Sequence, residues 1–94
     1  MKEPIIRKHL RFTGWVQGVG FRWRAKQAAG AVGATGWVRN EYDGSVTMEL
    51  QGTQAQIDAV LRALERGTYI RIENIEVRTI PVDPEERRFR TEYF

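Results

Sequence analysis

Two short segments hold residues whose types and spacing suit chemistry on an anion. The first is Gly14-Trp15-Val16-Gln17-Gly18-Val19-Gly20-Phe21-Arg22, with three glycines in seven positions. Glycine opens backbone geometry closed to other residues, so a loop of this kind can aim successive amide N–H groups at one point. Where such a loop runs directly into a helix, the unpaired donors and the helix dipole together favour negative charge, and phosphate fits best. Arg22 then falls in the first helical turn, where the dipole disfavours a cation unless an anion is bound nearby. Its planar guanidinium matches phosphate oxygens and keeps its charge at working pH. The second segment is Gly36-Trp37-Val38-Arg39-Asn40, which sets a neutral amide, able to donate and accept hydrogen bonds, ahead of a turn. Each feature also has an ordinary structural explanation: a strand-to-helix turn for the glycines, a surface position for Arg22, and turn chemistry for Asn40. Position 23 is Trp rather than Gly, and no Gly-Lys-Ser/Thr is present, so neither the dinucleotide fingerprint nor the nucleotide-binding P-loop applies.

Composition narrows what these groups can do. The 94 residues, 41% of them hydrophobic, suffice for one domain with one core, so residues 1–94 are expected to fold as a single unit. With no cysteine there is no disulfide, no thiolate metal site and no cysteine nucleophile. No apolar run approaches the roughly 20 residues of a membrane-spanning helix, and the start lacks the apolar stretch of a signal peptide, so a soluble, cytoplasmic protein is expected. The net charge of +3 is unevenly spread: residues 1–40 carry +7 and the remainder −4. Either the first half meets an anionic ligand, or the halves interleave in space and neutralise each other.

The elements that must position these groups follow from hydrophobic spacing. Ile6, Leu10 and Phe12 alternate with Arg7, His9 and Arg11, which predicts a half-buried strand. Phe21, Ala25, Ala28, Ala29 and Val32 make a helical stripe ending near Gly33. Gly30 inside it costs about 1 kcal/mol relative to alanine unless packing demands a small residue. Trp37 and Val38 lie in a second strand, Val46, Met48 and Leu50 in a third, and Asp43-Gly44 turns between them. Thr53 and Gln56 have the form of a capping box ahead of the stripe Ile57, Val60, Leu61 and Leu64. Ile70 and Ile72 change phase to Ile75 and Val77, predicting a bulge near Glu73-Asn74. A short closing strand over Phe89, Thr91 and Tyr93 follows a solvated charged loop, Asp83 to Arg88. The order βαββαβ predicts an α+β, ferredoxin-like sandwich: two helices on one face of an antiparallel sheet of four to five strands, the other face open. The first strand is then central, with Arg7, His9 and Arg11 beside Glu49 and Glu76.

Together, Gly14-x-Val16-Gln17-Gly18-Val19-x-Phe21-Arg22, Gly36-Trp37-Val38-Arg39-Asn40 and Asp43-Gly44-x-Val46 resemble the acylphosphatases, and the similarity runs over nearly the whole chain. The resemblance implies a metal-independent hydrolase, without cofactor, that splits acyl phosphates into carboxylate and inorganic phosphate, the phosphate serving as product and inhibitor. It implies that the loop of Trp15, Val16, Gln17, Gly18, Val19, Gly20 and Phe21 offers amides to the phosphate. It further implies that Arg22 clamps that phosphate and Asn40 holds the attacking water. A carboxylate whose parent acid has a pKa of about 4 leaves without a general acid, which suits a sequence offering little besides positioning and charge stabilisation. No nucleic-acid or membrane partner is implied, and a monomer is expected. The chain departs from the family at Gly67-Thr68, where many members have Gly-Pro, and at Glu41, which is expected to face solvent to avoid repelling an anion. Trp23 is expected to pack beside the pocket.

Two rivals share the topology. An RNA-binding module needs aromatic residues on its open sheet, and Ser45 to Gln51 supplies none. A silent anion-binding domain would keep the glycines and Arg22 but has no need of Asn40. His9, an outward strand residue flanked by arginines, is expected to be non-catalytic.

Overall fold

A computed structural model describes residues 3–93. The chain runs β1 (Ile6–Trp15), α1 (Phe21–Val32), β2 (Thr35–Asn40), β3 (Val46–Gly52), α2 (Gln54–Glu65), β4 (Arg71–Ile80) and β5 (Phe89–Thr91). One five-stranded sheet, in the order β4-β1-β3-β2-β5, carries both helices on one face. The fold is ferredoxin-like α+β. The core lies between the layers, where Leu10, Phe12, Val38, Met48 and Leu50 of the sheet meet Ala25, Ala29, Ile57, Val60 and Leu64 of the helices. Each large apolar side chain taken from water there contributes about 1.5–3 kcal/mol.

Local chemistry sets the helix limits. Gly33 closes α1 in the left-handed region, φ 78°, and donates its N–H to the Ala29 carbonyl. At the start of α2 the Thr53 hydroxyl accepts from the Gln56 amide, while the Gln56 carboxamide oxygen accepts from the Thr53 amide at 2.8 Å. The Gln56 Nε2 group also donates to the Val32 carbonyl, joining the two helices. Gly30 is exposed, and a Cβ there would meet no atom within 4 Å, so packing does not demand glycine. Gly30→Ala is therefore expected to stabilise the protein by about 0.5–1 kcal/mol, read as a rise of a few degrees in Tm.

The register shift between β1 and β4 comes where the sequence phase breaks: Thr13 faces Asn74 and Gly14 faces Ile72, so Glu73 is the extra residue. The expectation of a wholly antiparallel sheet fails at one edge, because β5 pairs with β2 in parallel. The reason is the route of the chain. Residues 81–88 cross from the β4 edge to the opposite edge beneath the sheet, so β5 enters in the direction of β2.

Asp83 to Arg88 form the expected solvated loop except at Glu86, but their crossing corrects the reading of the second face as open. The Gln51 carboxamide bonds the Asp83 backbone twice. Arg7, 5% exposed, holds Glu86 at 2.8 Å and Glu49 at 3.1 Å. The Glu86 side chain is only 3% exposed. The carboxylate and the arginine satisfy each other's hydrogen bonds, which offsets the cost of burying them.

Candidate active site

The glycine loop is pinned before it enters α1. Phe12 of β1 and Phe21 of α1 meet edge to face with ring centroids 4.9 Å apart, bracketing the loop from both sides. Val16 is buried in the core between them. The Gln17 carboxamide donates to the carbonyls of Glu41 and Ser45 at 2.6 and 2.8 Å, so the loop is tied to the β2–β3 hairpin that carries Asn40.

Between these anchors Gly18 and Gly20 take φ values of 72° and 81°. A Cβ at either would meet nothing within 4 Å. Glycine is required there by conformation, not by crowding. Among the described residues, no N–H from Gln17 to Gly20 donates to a protein acceptor. Helix α1 starts without a side-chain cap and without an acidic residue in its first turn. Orphan donors and the positive end of the dipole thus face the same space.

That space is a cleft of about 370 Å³ lined by Val16, Gly18, Gly20, Phe21, Arg22, Trp23, Lys26, Asn40, Thr91 and Tyr93. Its size lies at the lower end for small-ligand sites. The Arg22 guanidinium sits over the Tyr93 ring, 5.1 Å from its centroid. Asn40 ends β2 on the helix side of the sheet, and its Oδ1 is buried with no hydrogen-bond partner among the described residues. Leaving such an oxygen unpaired costs about 1–3 kcal/mol.

Of the residues expected from sequence, Val16, Gly18, Gly20, Phe21, Arg22 and Asn40 meet at this cleft. Trp15 does not. It is the last residue of β1, pairs with Arg71, and lines a separate groove with Tyr69 and Ile70. Strand pairing with β4 turns it away from the seat. Gln17 braces with its side chain, and Val19 leans on the core. Trp23 lines the cleft but is 66% exposed, so it walls the opening rather than packing into the protein. Lys26, Thr91 and Tyr93 were missed. Lys26 stands four residues after Arg22, a helical spacing that could have found it. Thr91 and Tyr93 arrive through the crossing of residues 81–88, which leaves no local signal.

The charge asymmetry along the chain resolves in three dimensions. Arg7 and Arg11 of β1 pair with Glu49, Glu86, Asp43 and Glu76, all from the second half. Arg39 pairs with Glu41. Arg24 donates to the Ala63 carbonyl. Arg22 and Lys26 alone among the described cations of α1 join neither an ion pair nor a hydrogen bond, and both line the cleft. Interleaving neutralises the sheet and leaves the helix start positive.

Glu41 does not simply face solvent. The Thr47 hydroxyl and, beyond some opposing desolvation, the Arg39 guanidinium hold its carboxyl below the usual range. They keep it on the sheet face opposite Asn40, which removes the repulsion the sequence raised. His9 Nδ1 lies 2.6 Å from the Glu49 carboxylate, outside the cleft. Burial opposes ionisation of Glu49, but hydrogen bonds from His9 and Arg7 outweigh it and lower its pKa. Asp43 is lowered further by the Ser45 hydroxyl and amide and by Arg11. Unfolded carboxyls titrate near 4. Because folding depresses these groups, their stabilisation is complete above that range and is lost as pH falls through it. Thermal melts between pH 7 and pH 3 should show Tm level down to about pH 4.5 and falling below it. A Tm that rises on acidification would contradict these pairings.

Comparison with known proteins agrees with the geometry. The chain is 44% identical over 90 residues to an acylphosphatase of Oceanobacillus iheyensis, covering 92% of this chain and 99% of that protein. It is 39% identical over 85 residues to an acylphosphatase of Bifidobacterium longum, covering 89% of this chain and 88% of that one. The crystal structure of acylphosphatase from Bacillus subtilis superposes with a TM-score of 0.85 at 27% identity, covering 94% of this chain and 99% of that chain. Since the acylphosphatase family model also matches residues 8–91, from within β1 to the end of β5, this chain belongs to the acylphosphatase family.

Proposed function

We infer that this acylphosphatase seats the phosphoryl group of its substrate on the main-chain amides from Gln17 to Phe21 and on the Arg22 guanidinium, while Asn40 directs the attacking water. The observation that carries the reading is the buried Asn40 Oδ1, without a partner among the described residues, in the cleft that Arg22, Gly18 and Gly20 also line. An oxygen held without a partner at such a cost suits an acceptor for a water that arrives with substrate. Water bonded through one hydrogen to Oδ1 presents its lone pair to phosphorus. The new P–O bond forms as the bond to the acyl oxygen breaks, and the electron pair leaves with the carboxylate. The proton of the water passes to a phosphate oxygen. Arg22 and the amides balance the charge on the equatorial oxygens throughout, and because these donors are fixed by the fold they need no reorganisation during the reaction.

No step in this scheme needs a metal, since the leaving carboxylate is weakly basic and the cationic charge comes from the protein. The scheme takes residues 1–94 as one domain acting as a monomer in the cytoplasm, the family match spanning residues 8–91. The test is phosphate release from benzoyl phosphate in the presence of a chelator. Steady turnover is expected. Activity abolished by the chelator and restored by a divalent cation would overturn the metal-free scheme, and phosphate binding without turnover would make the domain a binding module.

A further inference from the structure

The cleft extends beyond the groups that the reaction uses. Trp23 and Tyr93, 66% and 72% exposed, form walls outside the phosphate seat, and Lys26 lies on the same lining. Large aromatic side chains left this exposed around one opening favour a ligand contact over a core role. Lys26 and Arg22 are like charges at i and i+4 on α1, an arrangement that disfavours the helix. The first turn holds no acidic residue, and among the described residues neither cation has a carboxylate partner. No described carboxylate offsets this repulsion. Lys26 stands about 6 Å further along the helix axis than Arg22, one turn further from the glycine loop, and still lines the cleft.

Building on the acylphosphatase reading above, we propose that Lys26 is a specificity residue for the acyl half of the substrate. The enzyme favours acyl phosphates whose acyl group bears a second negative charge, carried outward between Trp23 and Tyr93 to the Lys26 ammonium. The phosphoryl dianion is already matched by Arg22, the loop amides and the helix dipole, and the second cation, one turn away, answers a second anionic group. No Asp or Glu lines the cleft to oppose it.

The test compares benzoyl phosphate with 4-carboxybenzoyl phosphate, which share a ring and differ only in the remote carboxylate. The readout is the ratio of kcat/KM for the charged over the uncharged substrate. Lys26→Met should lower this ratio about threefold to fivefold, the size expected of an exposed ion pair. Lys26→Glu should lower it further, and Lys26→Arg should keep it. Raising ionic strength should shrink the wild-type preference, since exposed charges are screened. Lys8→Met, on the far side of β1 where Lys8 bonds Thr79, makes the same change in net charge and controls for long-range attraction. An equal ratio in wild type and Lys26→Met overturns the proposal, as does an equal fall in Lys8→Met. If Lys26→Met lowers both substrates alike and weakens inhibition by inorganic phosphate, Lys26 is a phosphate ligand instead. Failure of wild type to hydrolyse either substrate would sink the catalytic reading itself, so the two failures are distinguishable.

Discussion

Arg22→Ala is expected to lower kcat/KM for benzoyl phosphate by roughly a thousandfold or more, the scale at which arginines stabilise phosphoryl transfer. The structure explains why so much should depend on one side chain. Arg22 enters the cleft from the first turn of α1, where the dipole penalises a cation, and it has no carboxylate partner among the described residues. Its contact with the Tyr93 ring orients the guanidinium without neutralising it. The same facts predict that the fold loses little: no ion pair is broken, and the repulsion with Lys26 is relieved. A Tm close to wild type, with turnover nearly abolished and phosphate inhibition weakened, is the expected combination. Arg22→Lys should recover only a small part of the loss, because an ammonium cannot reproduce two parallel N–H donors. Full recovery with lysine would show that charge alone matters at this position. An inactive Arg22→Ala protein that also melts far below wild type would assign Arg22 a structural role.

Asn40→Ala is expected to slow turnover about a hundredfold, the cost of removing one preorganised polar group, with little change in inhibition by inorganic phosphate. The split matters because the scheme has Asn40 touching the water and leaving the phosphoryl group to Arg22 and the loop. Stability should move the other way. Removing an oxygen that is buried and unpartnered should leave the protein as stable as wild type or more so by about 1 kcal/mol, and a purely structural asparagine would do the opposite. Asn40→Asp keeps the shape but turns a carboxylate toward an anion, so it should be slower than alanine and should bind phosphate less well. A large loss of phosphate inhibition in Asn40→Ala would make Asn40 a ligand to the anion.

Much of this site could be read from the chain because its parts are local. A loop needing left-handed backbone at Gly18 and Gly20 announces itself by glycine, and an arginine just inside a helix start is conspicuous because the dipole opposes it. The Thr53–Gln56 cap and the phase break at Glu73-Asn74 were likewise visible, since each is a contact between near neighbours or a change in period. Trp15 lies apart from the cleft for the converse reason. Membership in the motif says nothing of strand pairing, and its place opposite Arg71 carries it out of the cleft.

What the sequence by itself determined was therefore the order of elements, the apolar faces that bring them together, and the loop, arginine and asparagine that meet at the cleft. Only the tertiary structure decided which charges remain unpaired. Arg7 and Arg11 look no different in the chain from Arg22, yet the folded sheet gives the first two carboxylates, and the helix start gives the third none among the described residues. It also decided the far wall of the cleft, because the crossing of residues 81–88, held by Glu86 and Arg7, delivers Thr91 and Tyr93 from the other edge of the sheet. Pairings between residues dozens of positions apart depend on how whole elements stack, and no period or spacing within either segment encodes that distance.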